Sequence, residues 1–162
     1  MNFNELLESF SNIKIAVLGD AMLDTYWWGN TERISPEAPV PVVSVSKKEQ
    51  RIGGAGNVAL NLASLGSPVH LISVLGNDEE AEMLEKLLAE KKIGTGYVLK
   101  SEGRVTTNKI RIISRNQHMM RLDAEISTPL SAAEEGALLE NFKNYLEAEK
   151  PAIVILEDYN KG

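Results

Sequence analysis

Residues 12–20 read NIKIAVLGD. An apolar run that ends in Gly-Asp reads as a buried parallel strand with functional residues at its carboxyl end, because a strand covered on both faces lacks the polar alternation of a surface strand. Outward from it the same kind of unit recurs. Residues 54–65 make a small-residue helix carrying Val58, Leu60, Leu62 and Leu65, ended by Gly66. Residues 69–75 form a further strand, and Asp78 caps a helix with Ala81, Leu84, Leu87 and Leu88 on one face. Gly94 and Gly96 open a short strand at 97–99. Ser131 and Glu134 stand in capping-box spacing before an amphipathic helix with Leu138, Phe142, Tyr145 and Leu146, and Pro151 leads into a strand at 152–156. Alternating strands and helices predict an α/β fold whose mostly parallel sheet is flanked by helices.

Two segments break the alternation. Residues 26–46 hold Trp27, Trp28, three prolines (Pro36, Pro39, Pro41) and a period-two run from Val40, a pattern of extended strands and turns with no crossover helix. Residues 104–124 are likewise extended and predict a hairpin turning near Arg115-Asn116-Gln117. Together they predict a small antiparallel β lid, about residues 26–48 and 104–124, projecting over the ends of the main strands.

The bulk chemistry narrows the function. The chain has 162 residues, is 43% hydrophobic and carries a net charge of −6, enough for one core and the wrong sign for a general affinity for nucleic acid or anionic membrane. With no cysteine, disulfides, thiolate metal sites and a cysteine nucleophile are excluded. The longest apolar runs are too short to cross a bilayer and the start is acidic, so the expected location is cytoplasmic. The two histidines, His70 and His118, stand apart from the partners a metal site or triad needs.

Gly53-Gly54-Ala55-Gly56-Asn57 enters the first of these helices. Glycines there permit either a tight turn or close approach of a ligand to free N–H groups at a helix start. A dinucleotide fingerprint is excluded by placement, since it follows the first strand directly and residues 19–24 (GDAMLD) lack its glycine spacing. Within 104–124, Arg104, Lys109, Arg111, Arg115 and Arg121 face a single acidic residue, Asp123. On a strand Lys109 and Arg111 share a face and, with Arg115, either surround a phosphate or protect a solvated edge strand. Arg121 and Asp123, two apart, are spaced to pair. Tyr26, Trp27 and Trp28 are read as packing groups in preference to sugar-stacking ones.

The run from Gly53 to Ala59, with Gly66 and Gly76, resembles the first signature of ribokinase-like (phosphofructokinase B-type) carbohydrate kinases, and the resemblance covers essentially the whole chain. Residues 19–24, residues 33–41 (RISPEAPVP), Ser114-Arg115-Asn116-Gln117 with Arg121 and Asp123, and residues 158–162 (DYNKG) are similar to the D-glycero-β-D-manno-heptose 7-phosphate kinases. The resemblance implies a ribokinase-like, Rossmann-like fold and an activity: transfer of the ATP γ-phosphate, with Mg2+, to the anomeric hydroxyl of a heptose 7-phosphate, for ADP-heptose and lipopolysaccharide biosynthesis.

It also implies roles. Asp24, with Asp20 close by, hydrogen-bonds sugar hydroxyls, a task suited to a carboxylate that accepts two bonds in fixed geometry. Gly53, Gly54 and Asn57 complete the sugar clamp; Lys109, Arg111, Arg115, Asn116 and Gln117 meet the rest of the sugar phosphate; Asp158 and Lys161 help to hold nucleotide. The alternative for either aspartate is a turn cap. The catalytic base and the anion hole belong to a Gly-Ala-Gly-Asp motif that this sequence lacks, and family members are about twice as long. Residues 1–162 are therefore expected to be the amino-terminal portion of one kinase domain without its nucleotide-binding half, inactive alone, binding no cofactor tightly, with a loosely held terminal segment. A homodimer through the lid is expected. A non-catalytic sugar-phosphate-binding or assembly module, or a kinase for another sugar, are the alternatives.

Overall fold

The computed structural model of the chain describes residues 2–161, and Gly162 of the terminal motif lies outside the described residues. In chain order the elements are α1 (Phe3–Phe10), β1 (Ile15–Gly19), β2 (Ala21–Ile34), β3 (Pro41–Gly54), α2 (Ala55–Ser64), β4 (Val69–Ile72), β5 (Val74–Gly76), α3 (Glu79–Glu90), β6 (Leu99–Ser101), β7 (Asn108–Ser114), β8 (Gln117–Ala124), α4 (Ala132–Glu149) and β9 (Ile153–Glu157). β1 is the centre of a parallel sheet ordered β4-β1-β9, and β5 and β6 form a short parallel pair beside it.

Helices cover both faces of the main sheet, as the alternation requires. On one side Leu84 and Leu88 of α3 and Ala55 and Ala59 of α2 bury against Val17, Leu23 and Leu71. On the other, Tyr145 of α4 packs with Ala16 and Ile72, supported by Phe142 and Leu146. Each large side chain so buried contributes about 1.5–3 kcal/mol. The predicted caps are present: the Asp78 carboxylate accepts from the Ala81 N–H at 2.9 Å, and Ser131 and Glu134 form a capping box at the start of α4.

Four details differ from expectation. The strand expected at 69–75 divides at Ser73, whose hydroxyl donates to the Gly19 carbonyl and accepts from the Ala21 N–H, joining the β1–β2 corner in place of the ladder. The strand expected at 97–99 runs at Leu99–Ser101, after a turn closed by the Val98 N–H on the Thr95 carbonyl. α1 was not anticipated, although Asn2 and Glu5 cap it reciprocally. The lid strands also run further inward than residue 26 or 48, because β2 continues directly from the β1 corner and β3 pairs with it to Ala21↔Gly54.

The lid is one four-stranded sheet ordered β3-β2-β7-β8. Its outer pairings are antiparallel and its central β2–β7 pairing is parallel, so it is a mixed sheet. The parallel pair is tied by a buried bond from Thr25 Oγ1 to Asn108 Oδ1 at 2.8 Å. At the lid root, Asp78 Oδ2 also accepts from the Thr106 N–H at 2.7 Å, joining the cap of α3 to the approach to β7. Among the described residues no helix is long and apolar enough to cross a membrane.

Candidate functional site

Strand alternation sorts the lid into two faces. The registers bring Asp24, Tyr26 and Trp28 of β2 together with Arg51, Glu49 and Lys47 of β3, with Lys109 and Arg111 of β7, and with Asp123 and Arg121 of β8. This face is polar. The opposite face gathers Trp27, Ile110, Ile112, Met120, Leu122 and Val45 by the same registers.

At the inner end of the polar face the chain leaves β3 for α2 through Gly53 and Gly54. Gly54 has φ +56° and ψ −137° and forms the amino-terminal cap of α2 with no side-chain cap, a conformation that favours glycine. A side chain there would also overlap the Asp20 carbonyl, which accepts the Ala55 N–H at 2.9 Å. Gly53 lies under Asp24: a Cβ would sit 2.6 Å from Asp24 Oδ2. In the first turn of α2, Asn57 is exposed and makes no side-chain hydrogen bond among the described residues. Asp24, Gly53 and Gly54 thus lie together at the start of α2, with Asn57 in its first turn.

The cationic residues divide. Arg111 donates from Nη1 to Asp24 Oδ1 at 2.6 Å, with both side chains about three-quarters buried. Lys109 is opposite Asp24 in the β2–β7 register and has no ion pair among the described residues. Arg115 does not join them. Arg115 and Asn116 have positive φ, 49° and 66°, and form the two-residue turn of the β7–β8 hairpin, closed by the pair Ser114↔Gln117. Arg115 is four residues beyond Arg111, a rise of roughly 13 Å. The structure does not gather Arg115 with Lys109 and Arg111, the three residues expected to surround a phosphate, because Arg115 stands in the turn. Arg121 pairs with Asp123 at 2.8 Å, as its spacing suggested.

Asp20 has a different task from Asp24. Its Oδ2 accepts from the backbone N–H groups of Tyr159 at 2.8 Å and Lys161 at 3.1 Å, and its own N–H donates to the Glu157 carbonyl. The terminal segment expected to be loose is therefore bound to the end of β1. Asp158 accepts from the Asn160 N–H, and Lys161 Nζ donates to Glu125 at 2.9 Å. A cleft of about 370 Å3 opens here, lined by Gly19, Asp20, Ser73, Arg104, Asp158 and Lys161 among others. It brings Asp20, Asp158 and Lys161 together.

Within this chain the cations lining the cleft already have partners. The Arg104 guanidinium is spent on the carbonyls of Ile126, Thr128 and Lys161, Lys161 on Glu125, and among the described residues no three or more His, Asp or Glu side chains gather to hold a metal ion.

Two side chains outside the expected set stand on the same face as Asp24. Arg51 is opposite Asp24 on β3 and its guanidinium lies 4.6 Å from the centre of the Tyr26 ring; that of Arg111 lies 5.2 Å from it. Tyr26, read as a packing residue, holds two arginines by its π-face. The signal for Arg51 was its position two residues before Gly53, on the same strand face. Of the histidines, His118 is exposed on β8, while His70 lies against Tyr97 and Tyr145.

Residues 12–157 match the family described as pfkB family carbohydrate kinase. The chain is 42% identical over 161 residues to "Bifunctional protein HldE" of Syntrophotalea carbinolica, covering 99% of this chain and 32% of that protein. The protein of the same name from Haemophilus influenzae is 47% identical over 155 residues, covering 94% and 31%. The chain thus spans about a third of the length of the curated relatives it matches. Among solved structures, Arabidopsis thaliana ribokinase complexed with ribose and ATP superposes with a TM-score of 0.60 at 18% identity, covering 89% of this chain and 45% of that one. A putative ribokinase from Agrobacterium tumefaciens gives 0.57 at 19%, covering 69% and 36%. These structural likenesses support the ribokinase-like fold.

Proposed function

The chain belongs to the pfkB family of carbohydrate kinases, and from that premise we propose that it supplies the sugar-binding part of a kinase for D-glycero-D-manno-heptose 7-phosphate. The longer protein transfers the ATP γ-phosphate, with Mg2+, to the anomeric hydroxyl, giving heptose 1,7-bisphosphate for ADP-heptose and lipopolysaccharide-type glycans in the cytoplasm. The observation that carries the reading is the Asp24 carboxylate lying over side-chain-free Gly53 at the start of α2, with Lys109 and Arg111 on the same lid face. A carboxylate accepts two sugar hydroxyls, the glycines let the ring approach the backbone, the free Asn57 amide donates and accepts, and the cations meet the phosphate already on the sugar.

Phosphoryl transfer is mostly positioning and charge stabilisation. This chain's share is to orient the acceptor sugar; base and triphosphate cradle are assigned to the rest of the protein. Residues 1–162 alone are expected to bind the sugar phosphate without phosphorylating it, Asp158 and Lys161 acting on nucleotide only once the remainder rearranges their partners.

We assign the apolar lid face to a second copy of the chain. Met120, Leu122 and Val45 are 55%, 43% and 42% exposed there, and exposed apolar side chains grouped on β8 beside Ile110 and Ile112 mark an interaction surface. Arg115, Asn116 and Gln117 at the lid tip then reach a ligand on Asp24 only across the subunit boundary.

Calorimetric titration with D-glycero-D-manno-heptose 7-phosphate, with ribose and fructose 6-phosphate as controls, tests the reading. Selective binding of the heptose phosphate is expected. Binding of none of them, or of all three alike, would remove the substrate assignment, and ATP-dependent phosphorylation by the chain alone would refute the division of labour.

A further inference from the structure

Three cations stand around one carboxylate at the root of the lid. Asp24 is opposite Arg51 on one side and Lys109 on the other, and Arg111 reaches diagonally to its Oδ1. Asp24 neutralises Arg111; Arg51 turns to Glu49 at 2.6 Å, and Lys109 has no ionic partner among the described residues. One strand outward, Arg121 is directly opposite Arg111, a like-charge cross-strand pair in which Arg121 is offset by its own bond to Asp123 at 2.8 Å. The face therefore carries more positive than negative charge, while Oδ1 of Asp24, its carboxylate suited to sugar hydroxyls, is already taken by Arg111.

We propose that Arg111 is a specificity switch: it holds Asp24 while the site is empty and releases it only to a sugar that brings its own phosphate. The proposal rests on the sugar-phosphate reading of this site. A neutral sugar that takes both oxygens of Asp24 displaces the guanidinium from Oδ1 and leaves it without a counter-ion at 24% side-chain exposure, a costly state for a charged group. A phosphorylated sugar exchanges partners instead, its hydroxyls going to Asp24 and its phosphate to Arg111, with Lys109 beside it. Tyr26 and Arg51 are positioning residues in this exchange. The Tyr26 ring lies against both guanidinium groups and keeps Arg111 over the same face when it leaves Asp24. Discrimination then comes from the stranded arginine as well as from any pocket shaped around the phosphate.

Inorganic phosphate titrated into the isotope-labelled wild-type chain is the first test, read from the arginine Nε–Hε resonances. Saturable movement of the Arg111 signal, together with the Asp24 carboxyl carbon, is expected; an unmoved Arg111 signal overturns the proposal whatever sugars do. Calorimetry on Arg111→Gln with D-glycero-D-manno-heptose and its 7-phosphate is the second. The variant should bind the phosphorylated sugar at least tenfold more weakly and the unphosphorylated one several-fold more tightly, because Asp24 is freed. Equal weakening of both, the signature of a structural role, overturns the switch. If phosphate moves Arg111 while neither sugar binds the wild type, the anion exchange stands and the sugar reading of the site falls.

Discussion

Asp24 Oδ2 occupies space that a side chain on Gly53 would need, 2.6 Å from the position of a Cβ there. The carboxylate and the glycine face each other across β2 and β3, so the glycine sets where the acid group rests. Gly53→Ala is expected to push the carboxylate aside, because its free end yields more easily than backbone. Stability should fall by about 1–3 kcal/mol, the usual range for overpacking, while heptose phosphate affinity falls at least tenfold. Denaturant unfolding and calorimetry on the same variant separate the two effects. Wild-type affinity in Gly53→Ala would mean that the sugar does not depend on Asp24.

Much of the main sheet was legible because its signals are local. The apolar run of β1, the Asp78 cap and the Ser131–Glu134 box each lie within a few residues, and each marks a boundary that the structure keeps. The same local logic applies to α1, which Asn2 and Glu5 cap reciprocally. The lid was legible as extended chain but not as a sheet order. The β2–β7 pairing joins Thr25 to Asn108 across 83 positions, and no periodicity encodes which strand lies beside which. The candidate site divides in the same way. Residue types identified Asp24 and Arg111 as functional candidates, yet their mutual ion pair spans 87 positions and follows only from the parallel register. Arg51 was missed because its role comes from Tyr26 and Asp24 on the neighbouring strand.

Glu134 makes the start of α4 sensitive to acid. Its carboxylate accepts from the Ser101 hydroxyl at 2.5 Å and from the Ser131 N–H and hydroxyl. These bonds, the Ser101 one foremost, then those from Ser131, hold its pKa down at about 2 against an ordinary 4.5. A carboxylate whose folded pKa is depressed stabilises the fold above its unfolded pKa and loses that contribution as pH falls through the folded value. The loss therefore runs between about 4.5 and about 2. In thermal melts across this window Glu134→Gln should show a flatter acid limb than the wild type and a lower Tm at neutral pH. Parallel acid limbs would remove Glu134 as a contributor.

Beneath α4, two polar atoms are buried without a partner among the described residues: Tyr145 Oη and His70 Nδ1. Burial, then the negative charge of Glu149 and the neighbouring Tyr97, push the Tyr145 hydroxyl up to about 12. A buried hydroxyl with no partner costs about 1–3 kcal/mol, so Tyr145→Phe is expected to raise stability by about 1 kcal/mol in urea unfolding; a loss of that size would reveal a hidden partner. Burial also lowers the His70 pKa from 6.5, with Glu149 opposing the shift and Lys14 adding to it. The folded chain therefore resists protonation, and His70 contributes stability that is present above pH 6.5 and is lost as pH falls below it. His70→Phe should flatten the dependence of Tm on pH just below that value.

The apolar face of the lid gives the clearest prediction about assembly. Ile112 is opposite Trp27 on one side and Met120 on the other, and Ile110 is opposite Leu122, so apolar side chains run across β2, β7 and β8 with Met120 and Leu122 at the most open edge. The main core uses this face only at its inner end, through Leu23 and Ile52; its other buried members come from Ala21 and from β1, β4, β5, α2, α3 and Ile93. A charge introduced here leaves that core intact and opposes burial against a second copy, since an unpaired carboxylate is costly to desolvate. The wild-type chain is expected to sediment as a dimer at micromolar concentration, and the double variant Met120→Glu, Leu122→Glu as a monomer with an unchanged far-ultraviolet spectrum and a Tm that no longer depends on protein concentration. A wild-type chain that sediments as a monomer throughout that range would leave the face without the proposed occupant and the Arg115-Asn116-Gln117 tip without a route to substrate.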